Sequence, residues 1–162
     1  MAEEKEYVVL PEAKQMMIEL VTRYPKELRA VPGERVEVLA VTNKDRPEGT
    51  KEIAKIRKIG GSYKALYEFH GIHTEYIIEL YKSDWDQINE QKRQWLLMHE
   101  LAHVPTMLDG KGMINHDVQD FAFLLDVAGL NWWEKQDGLP DLLKGEPVQF
   151  REELVERLHK KE

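Results

Sequence analysis

Within Trp95–Phe121, "WLLMHELAHVPTMLDGKGMINHDVQDF", the run His99-Glu100-Leu101-Ala102-His103 places two imidazoles four residues apart, with a carboxylate directly after the first. On a helix, residues four apart project from one face, so His99 and His103 stand side by side. Two imidazoles so placed can hold one zinc ion through nitrogen at about 2.0–2.1 Å. Glu100 is one step round the helix, rotated away from easy ligation but within reach of a water on that metal. The pattern therefore predicts two metal ligands and a general base, with the metal bringing the water's pKa down towards about 7. Leu96, Leu97, Leu101 and Val104 give the same helix a core face, so the histidines also admit a plainer reading as partly buried residues bonded to carbonyls.

A catalytic zinc takes three protein ligands and keeps one position open. Downstream candidates for the third are Asp109, His116, Asp117 and Asp120. His116 is favoured: the glycine-bearing turn "TMLDGKGMIN" returns the chain towards the first helix, and His116 opens the next one. Asp109, in the turn, could serve as an aspartate ligand. Asp117 or Asp120 is better suited to orienting an imidazole from behind, a common partner of a metal-bound histidine. His70 and His73 in "FHGIH" belong to a turn and read as solvated, and His159 reads as surface. Tyr63, Tyr67, Tyr76 and His73 are the candidates for a second group on a developing oxyanion. Trp132 and Trp133 read as a cap on the core rather than the wall of a cleft.

These residues need elements to position them. "LPEAKQMMIELVTRY" predicts a helix entered at Pro11 and stopped before Pro25. "ERVEVLAVT" and "TEYIIELYKSD" alternate as strands, the second with Tyr76, Ile78 and Leu80 on one side. "KEIAKIRKIGGSYKALYEF" fits a helix or a strand until Gly60-Gly61 breaks it. Ser83 or Asp84 suits an N-cap with Asp86 or Gln87 completing a capping box, which predicts one helix from about Trp85 to Val104, ended by Pro105. "HDVQDFAFLLDVAG" predicts the next helix, with Val118, Phe121, Leu125 and Ala128 inward and Gly129 as its C-cap. "VQFREELVERLHKKE" has a weak helical period and reads as a solvated or oligomer-contacting tail.

The chain has 162 residues, 42% of them hydrophobic, with four Trp, which suits one domain with a real core. It contains no cysteine, so a metal must be held by His, Asp or Glu. A formal net charge of −7 argues against nucleic acid or an anionic membrane as the main partner. Lys51, Lys55, Arg57, Lys58 and Lys64 form the one run that could attract nucleic acid, though such runs are usually solvated. With no apolar signal core and no spanning segment, a cytoplasmic location is expected.

"MHELAHVPTMLDGKGMINHDVQDF" resembles the active-site region of the phage-type metallopeptidases, whose pattern is HELxH, a Gly-bearing turn, then His-Asp before an aromatic-rich helix. The resemblance extends to "AKIRKIGGSYKALY" and "EYIIELY", roughly Val36 to Trp133, and is more distant to the SprT-like zinc proteases. It implies zinc held by His99, His103 and His116, Glu100 as catalytic acid/base, and a strand edge on which an extended peptide docks. The metzincin third histidine, six residues after the second, is absent. The expectation is an α+β, small zincin-like domain: a twisted mixed β-sheet packed on the His99–His103 helix and flanking helices. It spans residues 1–145, with a charged helical tail at 146–162 that forms no separate domain. The expected activity is zinc-dependent hydrolysis of a protein or peptide. The alternatives are a zinc-binding interaction module without turnover and a SprT-like protease acting on DNA-bound proteins.

Overall fold

The structure is a computed structural model, described here for residues 3–29, 31, 33–104, 113–114 and 120–161. It is an α+β fold whose sheet has four strands: β1 (Tyr7–Val9), β2 (Val36–Val41), β3 (Ala54–Lys58) and β4 (Tyr76–Tyr81). Their spatial order is β1-β2-β4-β3. The sheet is mixed, because β2 and β4 run parallel while β1 and β3 pair antiparallel at the two ends. Helices α1 (Pro11–Arg23), α2 (Gly61–Phe69), α3 (Lys82–Gln87), α4 (Glu90–Ala102), α5 (Ala122–Ala128) and α6 (Glu152–His159) accompany it.

Period-two alternation sets which side of each strand is buried. Val36, Val38 and Ala40 of β2 and Tyr76, Ile78 and Leu80 of β4 are buried, and Val38 and Ile78 are register partners. The ambiguous segment resolves as β3, where Ile56 pairs opposite Ile78 and Ala54 opposite Leu80. Pairing with β4 buries both at once, which an isolated helix over the same residues would not do. β1 was not expected from its sequence, since three residues among charges carry little periodicity. Its ladder with Leu39–Val41 is what makes it a strand.

The expected helix from Trp85 to Val104 is two helices. Ile88 and Asn89 are extended, and Asn89 is a second N-cap whose side-chain oxygen accepts from the Lys92 backbone N–H at 2.8 Å. Neither Ser83 nor Asp84 caps α3; Tyr81 occupies that position, and Asp84 is bound to Arg46 instead. A competing capping residue inside a helical pattern divides it wherever the flanking turn can satisfy the freed backbone groups. Arg93 fixes the joint by packing over the Trp85 ring and donating to the Trp85 carbonyl.

The helix expected from His116 begins at Ala122, with Phe121 as its N-cap, and ends at Gly129, whose φ of 90° suits glycine. Asp120 and Phe121 therefore lie outside it, and residues 115–119 lie outside the described residues. In the C-terminal tail, α6 turns Val155 and Leu158 into the common core, where a solvated tail was expected. Trp95, Phe123, Phe150 and Tyr24 join edge to face in that core. No helix among the described residues is long and apolar enough to cross a membrane.

Candidate metal centre

α4 carries the site because it is buried on nearly all sides, between the sheet and the aromatic cluster. A side chain on such a helix has few orientations open to it. His99 and His103 come off one face with ring centroids 5.2 Å apart, and one donor atom from each of His99, Glu100 and His103 lies within 4.8 Å of the others. This is the group of potential metal ligands that the described residues bring together.

Each imidazole is pinned from behind. His99 donates through Nδ1 to Asp120 Oδ1 at 2.7 Å. Asp120 is only 1% exposed, and it also accepts from the Phe121 backbone N–H and, on Oδ2, from the Trp132 indole, each at 2.7 Å. His103 donates through Nδ1 to the Ile114 carbonyl at 2.5 Å, and the Ile114 N–H returns a bond to the His103 carbonyl at 2.8 Å. With both Nδ1 atoms so engaged, Nε2 is the nitrogen that each ring would offer a metal. The edge of the Phe121 ring meets both imidazoles and restricts their rotation.

The charges agree with this arrangement. Burial would raise the Asp120 pKa, but the His99 bond and charge, the Phe121 N–H and the Trp132 indole together hold it below the usual carboxylate range. Burial would lower His99, and the hydrogen bond to Asp120 with the charges of Glu100 and Asp120 outweighs it, so the imidazole sits above its ordinary value. Glu100 is 5% exposed. Burial pushes its carboxyl up to about 7, aided by the charge of Glu52 and opposed by His99 and a backbone hydrogen bond with Ile56.

That bond with Ile56 shows what faces the centre. β3 is the terminal strand of the sheet, and its outer side borders a cleft of about 380 Å³. Ile53–Ile56 line it from the β3 side, Leu96, His99, Glu100 and His103 from α4, and Trp132 and Trp133 from the segment after α5. The donor set fits a metal ion such as zinc: two imidazoles on one helical face, each with a hydrogen-bonded partner behind it, and a carboxylate alongside.

The other expected residues separate cleanly. His116, Asp109 and Asp117 lie outside the described residues. Asp120 uses both oxygens on other partners, in the orienting role considered for it. Trp132 is a core residue as expected and also a wall of the cleft, with its indole on Asp120. None of Tyr63, Tyr67, Tyr76 and His73 lines the cleft, and Tyr76 is buried in the core. In the basic run, Arg57 pairs with Glu79 and Lys64 with Glu75. Sequence reasoning missed the Ile114 carbonyl, since a backbone acceptor leaves no trace in residue type.

The family model for "Putative phage metallopeptidase" matches residues 5–144. The chain belongs to this family. The match takes in β1 and α1, beyond the Val36–Trp133 span of the sequence resemblance, and stops before α6. Comparison with curated proteins and with solved structures gives no match. Among the described residues, the candidate metal group of this phage metallopeptidase family member is His99, Glu100 and His103, at α4 beside an edge strand.

Proposed function

We propose that the chain is a zinc-dependent metallopeptidase of zincin-like plan. His99 and His103 are two of its ligands, His116 is the third by its place in the family's His-Asp pattern, and Glu100 is the general base. The observation that carries this reading is the double pinning of the imidazoles, by Asp120 and by the Ile114 carbonyl. Core histidines need one satisfied nitrogen. Two rings each fixed through Nδ1, with one donor atom apiece within 4.8 Å of an acid's, are what a metal site requires.

When bound, zinc supplies Lewis acidity that polarises a carbonyl and acidifies water. The chain's own residues do the rest. The outer edge of β3 holds an extended peptide by backbone hydrogen bonds, laying its carbonyl over the α4 face. Glu100 takes a proton from the attacking water and delivers it to the departing nitrogen. Asp120 keeps the His99 Nδ1 proton in place, so the ring neither turns nor changes tautomer. The indoles of Trp132 and Trp133, lining the same cleft, reduce the water around the reacting groups.

The test is metal analysis together with turnover. Purified protein should hold one zinc per chain and cleave an unfolded protein such as casein; a chelator should stop cleavage, and added zinc should restore it. Glu100→Gln should keep the zinc and lose the cleavage. Zinc bound with no turnover in the unaltered protein would favour the non-catalytic module.

A further inference from the structure

Lys92 lies on the same face of α4 as the metal-site residues, two turns earlier, and lines the same cleft. It is only 7% exposed. A lysine so covered is ordinarily paired with a carboxylate. Here the hydrogen bond that Lys92 makes is through its backbone N–H, to Asn89. Among the described residues its ammonium has no hydrogen bond or ion pair. The charged group that acts on it is another cation, Arg46, itself held by Asp84 and the Thr50 carbonyl. Lys92 also stands in the first turn of α4, at the positive end of the helix dipole.

Burial, Arg46 and the helix dipole thus all disfavour one ammonium, and each is relieved by an anion entering the cleft. The cleft is polarised along its length. Glu52 acts on His99 and Glu100 at the reacting end, while Lys92 places a cation in the wall two helical turns away. Lys51 and Lys55 line the β3 side of the same cleft, with Glu52 between them.

We propose that Lys92 forms an anion subsite of the cleft, binding a carboxylate of the peptide substrate about three residues from the bond that is cut. The inference rests on the peptidase reading and names its substrate class. The spacing follows from geometry. Seven positions separate Lys92 from His99, about 10 Å along a helix rising 1.5 Å per residue. An extended peptide advances about 3.3 Å per residue, so the same distance takes about three residues. The carboxylate has two sources, an Asp or Glu side chain or the peptide's own C-terminus.

The experiment measures binding by fluorescence anisotropy to the zinc-loaded, full-length Glu100→Gln protein, so that peptides dock without being cut. The probes are labelled Gly/Ala octapeptides of three kinds: neutral with an amidated C-terminus, amidated with one Asp walked along the chain, and neutral with a free C-terminal carboxylate. One Asp position should bind about ten- to a hundredfold tighter than the neutral peptide, the range of a charge-assisted hydrogen bond. Tight binding by the free-carboxylate peptide instead assigns the subsite to a chain end. Adding Lys92→Met, which removes the charge at similar volume, should bring the anionic peptide to the neutral level, and Lys92→Arg should keep the preference. Equal binding of neutral and anionic peptides, with and without Lys92→Met, overturns the subsite. It leaves the peptidase reading intact as long as the protein with Glu100 present cuts them. If nothing binds and nothing is cut, the peptidase reading falls and the subsite with it.

Discussion

The chain holds two close pairs of histidines, and they differ in everything but residue type. His70 and His73 sit where α2 ends in a turn through Gly71, both exposed, with His70 against the exposed ring of Phe69. His99 and His103 sit on a buried helix, each bonded through Nδ1 to an acceptor delivered by a distant segment. The difference teaches that spacing alone does not make a ligand pair. An imidazole is committed to a metal when its other nitrogen is already fixed and the chain around it cannot move.

The hardest way to break the comparison is to remove the chemistry from one pair and the rings from the other. Glu100→Gln is expected to lower peptide cleavage by about 10²–10⁴-fold, the contribution of a positioned acid/base. Zinc content measured by atomic emission should be unchanged. His99→Ala and His103→Ala should each lose the zinc as well as the activity. His70→Ala and His73→Ala should leave both where they were. A fall in zinc content on changing either turn histidine would sink the distinction.

A pH experiment on chelated, metal-free protein asks what burial of the centre costs. The Glu100 carboxyl is raised to about 7 in the folded chain, against an ordinary value of 4.5. Below 4.5 both folded and unfolded chains carry the proton, and Glu100 makes no difference. Between these values the folded chain keeps a proton that the unfolded chain releases, so stability falls as pH rises, and the loss is complete above about 7. The full effect is on the order of 3 kcal/mol. Denaturant unfolding should show metal-free Glu100→Gln gaining on the unaltered protein from pH 5 to pH 8. A constant difference between the two across that range would mean that Glu100 titrates as a solvated acid.

Asp120 tests the pinning itself. Asp120→Asn keeps the shape but removes the charge that faces His99, and zinc affinity should drop about 10–100-fold, as for other partners behind a metal-bound histidine. Competition with a chelator of known affinity measures it. An unchanged affinity would show that burial of α4 suffices to orient the ring.

The sequence disclosed the side-chain half of this centre and little of its backbone half. His99, Glu100 and His103 were visible because helical spacing turns four positions into one face, and Asp120 was visible as a carboxylate suited to orienting an imidazole. The α+β class and strands β2 and β4 followed from alternation. The Ile114 carbonyl was hidden because any residue type has one. β1 was hidden because its stability comes from β2 rather than from its own three residues. The division of α3 from α4 was hidden because Ser83 and Asp84 suit an N-cap by residue type, while Asn89 makes the bond. Burial of α6 was hidden because three apolar residues, Leu154, Val155 and Leu158, are too few to distinguish an inward edge from a solvated helix.

Asn89 also gives the smallest and most discriminating change. Asn89→Ala removes the acceptor for the Lys92 N–H and should cost about 1 kcal/mol, the usual loss at an N-cap. In a domain of this size that lowers the melting temperature by about 2–4 °C. The cap lies at the far end of α4 from the histidines, whose rings are held by Asp120 and Ile114 rather than by the helix start. Zinc affinity should therefore stay the same while the melting temperature falls. If the two fall together, the rings take their orientation from the position of the whole helix, and the contrast with His70 and His73 lies in α4 as a rigid body rather than in the bonds behind each imidazole.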